Sequence, residues 1–340
     1  MKYKILFLLS SRHEASSRFR VDAYVNKLQE DFAIRLEYLS EKPKFLPKFL
    51  KRTYKMILLV ITALRVKQYD VVFMHRIVSS YKDNLWFEKM LHKWNKNIIF
   101  DFDDAIFMHN EHKVSSVIFM SSVVLAGNGY LQKYALQSSR NVLVLPTVID
   151  TDKFTIKEIV PTQNITIGWT GTSSNYQFFS DNLIKELKVL LEKYRNVRFL
   201  FICDKLPDAR FNFNYEFTKW THVSEVEDLK LIDIGIMPLV DNEWTRGKCG
   251  FKLIQYGSIG IPSLGSNVGV NNDIIDDCKT GYLIGNDSWY EKLEILITDF
   301  ELRKKMGQEG RKKIEATYSL KVNYEVLKKS LLDSVQQRLT

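Results

Sequence analysis

At 340 residues, 45% hydrophobic and 26% charged, the sequence has the composition of a globular protein long enough for two domains, and it lacks the low-complexity or short-period patterns of disordered and repeat chains. Its three cysteines, Cys203, Cys249 and Cys278, stand far apart with no CxxC or His-rich spacing, which excludes a zinc ribbon or disulfide framework and fits reduced thiols in a cytoplasmic protein. The net charge of +9 lies wholly in residues 1–155, which hold 24 Lys/Arg against 15 Asp/Glu while the remainder holds 25 of each, so an anionic neighbour is expected there: membrane phospholipid, a lipid diphosphate or nucleic acid.

From the N-terminus, the apolar run Ile5–Leu9 is short and lacks a following small-residue cleavage site, so Lys4–Ser10 reads as a buried strand rather than a secretory signal. Ser16–Glu30 has helical spacing, Ile34–Leu39 reads as a strand, and Leu46–Val66 as a basic, apolar helix. Its longest apolar run, Met56–Leu64, falls far short of the roughly 20 residues that span a membrane. Strands follow at Val71–His75, Asn97–Asp101, Val123–Ala126 and Val142–Leu145, with helices at Asn84–Trp94 and Gly129–Leu136. Short β-rich apolar runs alternating with helices predict a parallel sheet covered on both faces.

Pro146–Phe154 (PTVIDTDKF) and the polar stretch to Gln163 interrupt the pattern, which then restarts. Strands are predicted at Ile165–Trp169, Val197–Ile202, Phe217–Trp220, Ile234–Met237, Ser263–Leu264 and Tyr282–Ile284, and helices at Phe178–Tyr194, Glu225–Lys230 and Phe251–Ile259. Helices fill the C-terminus, the last being Ser319–Gln336. The fold class expected is α/β, with two Rossmann-like doubly wound parallel sheets facing a cleft. The expected domains are 1–155 and 156–316, with the helical tail 317–340 packing back on the first.

Only Gly127 and Gly129 precede residue 160, and the other 13 of 15 glycines follow it. Close backbone approach to phosphate needs glycine, so a nucleotide is expected in the second half. The richest stretch is Trp244–Asn272, WTRGKCGFKLIQYGSIGIPSLGSNVGVNN. Here a strand ends in a polar loop and Gly250 opens a helix. Amides of Phe251 and Lys252 at the helix start, with the cations Arg246, Lys248 and Lys252, suit a diphosphate; a solvated basic loop before a core helix is the alternative reading.

This segment resembles the donor site of glycosyltransferase family 4, whose members have the two-Rossmann B-type (GT-B) fold. Further similarity lies at SSRFRV (Ser16–Val21), DFDDAIF (Asp101–Phe107), PTVIDTDKF (Pro146–Phe154) and GWTGT (Gly168–Thr172), in the same order as in that family, across nearly the whole chain. The resemblance implies transfer of a sugar from a nucleoside diphosphate to an acceptor with retention of anomeric configuration and without a metal. It places Gly250, Phe251 and Lys252 against the donor diphosphate, with Gly168, Thr170 and Gly171 approaching from the opposite loop. Trp220 and the residues to Val223 fall where the base is received. The paired glutamates of that family, eight residues apart, are replaced here by Gly247 and Gln255. The Gln255 amide still suits ribose hydroxyls, and Glu243 is the carboxylate left in that loop.

In the first half, Asp101, Asp103 and Asp104 crowd the end of a strand. Three such carboxylates resemble a divalent-metal motif, yet the strand-end position favours Asp103 and Asp104 as catalytic cleft groups, one meeting sugar or acceptor hydroxyls and the other orienting Arg18 or Arg20. A loop-capping Asp cluster is the plain structural reading. Arg18 and Arg20 are expected near an acceptor phosphate or the donor, Arg18 foremost because Phe19 and Val21 read as core, although a surface ion pair would serve as well. His75 in FMHRI reads as structural. Residues 42–67, with eight Lys/Arg, Lys48 among them, and no acid, suit either a helix lying on an anionic membrane or a core helix with a basic outer side. Nucleic acid is disfavoured because stacking aromatics do not interleave the basic run.

The function expected is a metal-independent, cofactor-free hexosyltransferase of polysaccharide assembly, taking a nucleotide sugar and a glycan or polyprenyl-linked acceptor, in the cytoplasm and peripherally at the inner membrane face. The alternatives are a sugar-nucleotide 2-epimerase and a nucleotide- or lipid-binding scaffold of the same fold.

Overall fold

The computed structural model describes residues 2–339 except 42, 44–46, 48, 81, 159, 162–163 and 286–287. The predicted helix start at Leu46, the cation Lys48 and the predicted boundary residue Gln163 lie outside the described residues. The chain divides into two compact units, residues 1–148 with 247–249 and 320–340, and residues 149–246 with 250–319.

The first unit contains β1 (Lys4–Leu9), α1 (Ala15–Ser17), a π turn (Arg18–Asp22), α2 (Ala23–Asp31), β2 (Ala33–Tyr38), α3 (Leu50–Arg65), β3 (Val71–His75), α4 (Trp86–Trp94), β4 (Ile98–Phe102), α5 (Glu111–Met120), β5 (Val123–Ala126), α6 (Gly129–Ala135) and β6 (Val142–Val144). The strands lie in the order β2-β1-β3-β4-β5-β6, all parallel. Burial of β1, β3 and β4 on both faces explains their continuous Ile, Leu, Val and Phe runs. Glu111–Met120 has no counterpart among the predicted helices: Val114, Val117 and Ile118 supply only a short buried stripe.

The second unit contains β7 (Ile165–Gly171), α7 (Asp181–Lys193), β8 (Val197–Cys203), β9 (Glu216–Lys219), α8 (Glu225–Leu229), β10 (Ile234–Met237), α9 (Glu243–Arg246), α10 (Phe251–Ser258), β11 (Ser263–Ser266), α11 (Asn271–Ile274), β12 (Gly281–Ile284), α12 (Trp289–Thr298) and α13 (Phe300–Thr317). Its order, β12-β11-β10-β7-β8-β9, again all parallel, is the Rossmann order, with the reversal between β7 and β10. An aromatic core of Trp169, Tyr176, Phe179, Phe199, Phe201 and Phe211 fills one face.

The final helix, α14 (Leu320–Leu339), joins the first unit, burying Tyr324, Leu327, Leu331 and Val335 in its core. Tyr324 Oη donates to Asp31 at 2.7 Å, and Asn97 Nδ2 donates to the Ser334 carbonyl at 2.5 Å. The units divide after Val148 rather than at 155. Ile149 bridges to Ser319, and Arg311 donates to the carbonyls of Thr151 and Phe154, which ties PTVIDTDKF from Ile149 onward into the second unit.

Candidate functional site

In doubly wound sheets ligands collect at the carboxyl ends of strands where the strand order reverses. In the second unit that place is the ends of β7 and β10. The second helix after β10, α10, is capped at its start by Gly250, whose φ of 64° is left-handed. A Cβ on Gly250 would lie 2.2 Å from Ile274 Cδ1, so both conformation and space demand glycine. Gly250 also brings no side chain to cap the first turn, whose amides carry the positive end of the helix dipole.

One turn along, the Lys252 ammonium sits 5.4 Å from the centre of the buried Trp169 ring, which supports it by a cation–π contact. Gly171, the last residue of β7, makes room for this side chain: a Cβ there would lie 2.8 Å from Lys252 Cε. Helix start, lysine and strand-end glycine thus gather at the switch point. The other two residues predicted from the GWTGT motif do not join them. Gly168 lies within β7 against Ile232, which a Cβ would meet at 2.3 Å, and the buried Thr170 gives its amide to Tyr256 Oη at 3.1 Å. The absence of a side chain at Gly168 admits Ile232 against the strand.

Arg246, on α9, donates from Nε and Nη2 to Asp241 at 2.7 and 3.0 Å, and Lys248 falls in the stretch 247–249 that groups with the first unit. Lys252 lies in the first turn of α10. Phe251 is the first residue of that helix and is half-buried.

Gln255, a turn further on, is buried and donates to Glu225 Oε1 at 3.2 Å, while His222 Nδ1 lies 3.8 Å from Glu225 Oε2. Glu225, which sequence reasoning passed over, opens α8 directly after the Trp220–Ser224 turn. The second unit therefore keeps a buried carboxylate beside Gln255, supplied from another helix. Trp220 is half-buried at the end of β9, its amide donating to the Cys203 carbonyl at 2.9 Å. Glu243 begins α9 and is exposed.

In the first unit, polar groups converge on the carboxyl ends of β1, β3 and β4. His75, fully buried, has Nδ1 2.6 Å from Asp101 Oδ2 and Nε2 2.8 Å from Ser16 Oγ. A carboxylate only accepts, so Nδ1 carries the proton facing Asp101. Ser16 Oγ also lies 2.7 and 2.6 Å from the two oxygens of Asp103. Arg76, with φ of 57°, donates to Asp103 at 2.5 Å and to Asp104 at 2.8 Å. Burial opposes ionisation of Asp103, but Arg76 foremost, with His75 and Arg20, holds its carboxyl well below the usual range. Burial opposes ionisation of Asp101 likewise and is outweighed chiefly by Arg20.

Two expectations change here. Arg20, only 1% exposed, is spent on Asp101, through Nε at 3.0 Å and through Nη2, and on the Leu145 carbonyl at 2.9 Å, so it positions the carboxylate and meets no acceptor. The carboxylate orienting it is Asp101, whereas Asp103 and Asp104 take Arg76. Asp103 is itself enclosed, with its side chain 4% exposed against 20% for Asp104, which makes Asp104 the accessible acid. The π turn explains Arg20's burial. It interrupts the helical register between Phe19 and Val21, both core residues, and turns Arg20 inward. Arg18 is half-buried, with its guanidinium 4.8 Å from the centre of the Phe19 ring. Ser16, His75, Arg76 and Asp101 were the residues undervalued. His75, Arg76 and Asp101 stand at or just past the ends of predicted strands, while Ser16 opens the predicted helix after the first strand.

No known protein-family model matches the chain. It is 24% identical over 176 residues to the capsular polysaccharide biosynthesis glycosyltransferase CapM of Staphylococcus aureus, a match spanning 48% of this chain and 45% of that relative. Solved structures resemble it over almost its full length. Sucrose-phosphate synthase of Thermosynechococcus elongatus superposes with a TM-score of 0.72 at 11% identity, covering 96% of this chain and 98% of that one. The Anabaena protein HepE, solved in complex with UDP-glucose, gives 0.71 at 11%, covering 97% and 99%. A glycosyltransferase of Rickettsia africae gives 0.67 at 14%, covering 98% and 99%. With two six-stranded parallel sheets of Rossmann type, the chain has the GT-B fold of these glycosyltransferase structures.

Proposed function

We propose that the chain is a retaining glycosyltransferase that moves a hexose from a nucleoside-diphosphate sugar to a glycan or polyprenyl-linked acceptor in polysaccharide assembly. The observation that carries the reading is Lys252, held over Trp169 beside Gly171 in the first turn of α10, where β7 and β10 part. A diphosphate is the ligand suited to a helix start and a fixed ammonium together. The UDP-glucose complex of HepE, which shares the fold, and the capsular role named for CapM support the donor and acceptor classes.

In this reading the first-turn amides of α10 and Lys252 bind the diphosphate, and the Gln255–Glu225 pair receives ribose hydroxyls. In the first unit, Asp104 meets hydroxyls of the acceptor, with Arg76 and Asp103 fixing its position. The bond between the anomeric carbon and the β-phosphate oxygen breaks as the acceptor oxygen bonds to the same face of that carbon. The leaving phosphate oxygen takes the acceptor proton. Fixed positive charge at the phosphates offsets the negative charge that grows there, without a resident metal.

The test is to supply UDP-, GDP-, ADP- and dTDP-sugars with and without lipid-linked oligosaccharide acceptors, in EDTA. Acceptor-dependent release of one nucleoside diphosphate, with the new linkage sharing the donor's anomeric configuration, is expected. Release from no donor would overturn the proposal, and an inverted linkage would overturn its stereochemistry.

A further inference from the structure

We propose that the outward face of α3 docks on an anionic phospholipid surface. This does not depend on the reaction assigned above. Leu59, Thr62 and Ala63 form the inward side of α3 and are buried in the first unit. The opposite side is also apolar. Leu50, Tyr54, Ile57, Ile61 and Leu64 recur at spacings of three and four, which sets them in one stripe along the helix. Their exposures are 40, 36, 54, 39 and 49%. Phe49, Met56 and Val60, also exposed, widen the stripe. A helix on the surface of a globular protein ordinarily turns charged residues outward, and a contiguous apolar stripe marks an interaction surface.

The charge around it selects the occupant. Lys51, Arg52, Lys55, Arg65 and Lys67 lie on or next to this helix, and residues 42–67 carry eight Lys/Arg without one acid. A second copy of the chain docked face to face would set those cations against their own kind. Phospholipid headgroups of negative charge complement them, while the stripe enters the boundary between headgroups and acyl chains. Among the described residues no helix is long and apolar enough to cross a membrane, so the contact is peripheral.

The experiment is flotation of the full chain with vesicles of phosphatidylcholine alone and of phosphatidylcholine mixed with phosphatidylglycerol. Binding to the mixed vesicles, weakening with added salt, is expected. Lys51→Gln with Arg52→Gln should weaken it roughly 30-fold, from the contribution of each cation near a charged surface. Ile57→Glu with Ile61→Glu should abolish it with an unchanged melting temperature, since both side chains are exposed. Equal binding to neutral and anionic vesicles, or none to either, would overturn the proposal. So would a dimer in solution that the Ile57→Glu, Ile61→Glu variant dissociates.

Discussion

Nδ1 of His75 lies 2.6 Å from Oδ2 of Asp101, and the same buried carboxylate pairs with Arg20. One acid from β4 thereby fixes both the imidazole at the end of β3 and the guanidinium of the π turn after β1. Asp101→Asn leaves Arg20 buried opposite a neutral amide, and breaking such a pair costs about 3–5 kcal/mol. Chemical denaturation should show that loss, with circular dichroism confirming that the remaining protein folds.

The same cluster sets an acid limit. Asp101 and Asp103 both ionise below the ordinary value of 3.8 in the folded chain. Their contribution to stability is thus fully present above about pH 4 and is lost as the pH falls through the depressed folded values. Denaturation midpoints should be level from neutral pH down to that point and drop beneath it. In Asp101→Asn the drop should be shallower.

Gln255→Glu restores a carboxylate that the resemblance leads one to expect, yet it is expected to harm this protein. The new acid would face Glu225, whose Oε1 is 3.2 Å from the Gln255 amide, in a buried setting. A loss of about 1–3 kcal/mol is expected from the broken hydrogen bond and the like charge. Adding Glu225→Gln should recover most of it. A double-mutant cycle in urea reads the coupling, and additive effects would show that the two side chains act independently.

Asp104→Asn should raise the acceptor KM about tenfold while leaving the donor KM near that of the parent, as for loss of one hydrogen bond to a charged group. Steady-state kinetics with each substrate varied in turn makes the distinction.

Much of this was legible in the sequence because the central strands of both sheets are buried on two faces, and β1, β3, β4, β7, β8 and β10 are rich in apolar residues. The twelve strands among the described residues match predicted ones to within two residues at either end. Glycine placement and the WTRGKCGFKL stretch located the helix start at Gly250. What escaped were relations between distant segments. Nothing near Glu225 announces Gln255, 30 residues away, and nothing in FMHRI announces that His75 joins Ser16 and Asp101. Helical spacing over Ser16–Glu30 does not announce the π turn at Arg18–Asp22 in which Arg20 is buried. Arg246 pairs with Asp241, five residues earlier, a partner that the loop's cation pattern does not announce.

Calorimetric titration of nucleoside diphosphates into the parent chain and into Lys252→Ala tests the anion site at α10 most directly. Saturable binding of one diphosphate is expected, with the bare nucleoside far weaker and Lys252→Ala reduced about 10- to 100-fold, the range for a charged hydrogen bond. Diphosphate and nucleoside binding alike, or Lys252→Ala matching the parent, would contradict the assignment of phosphate to the helix start at Gly250.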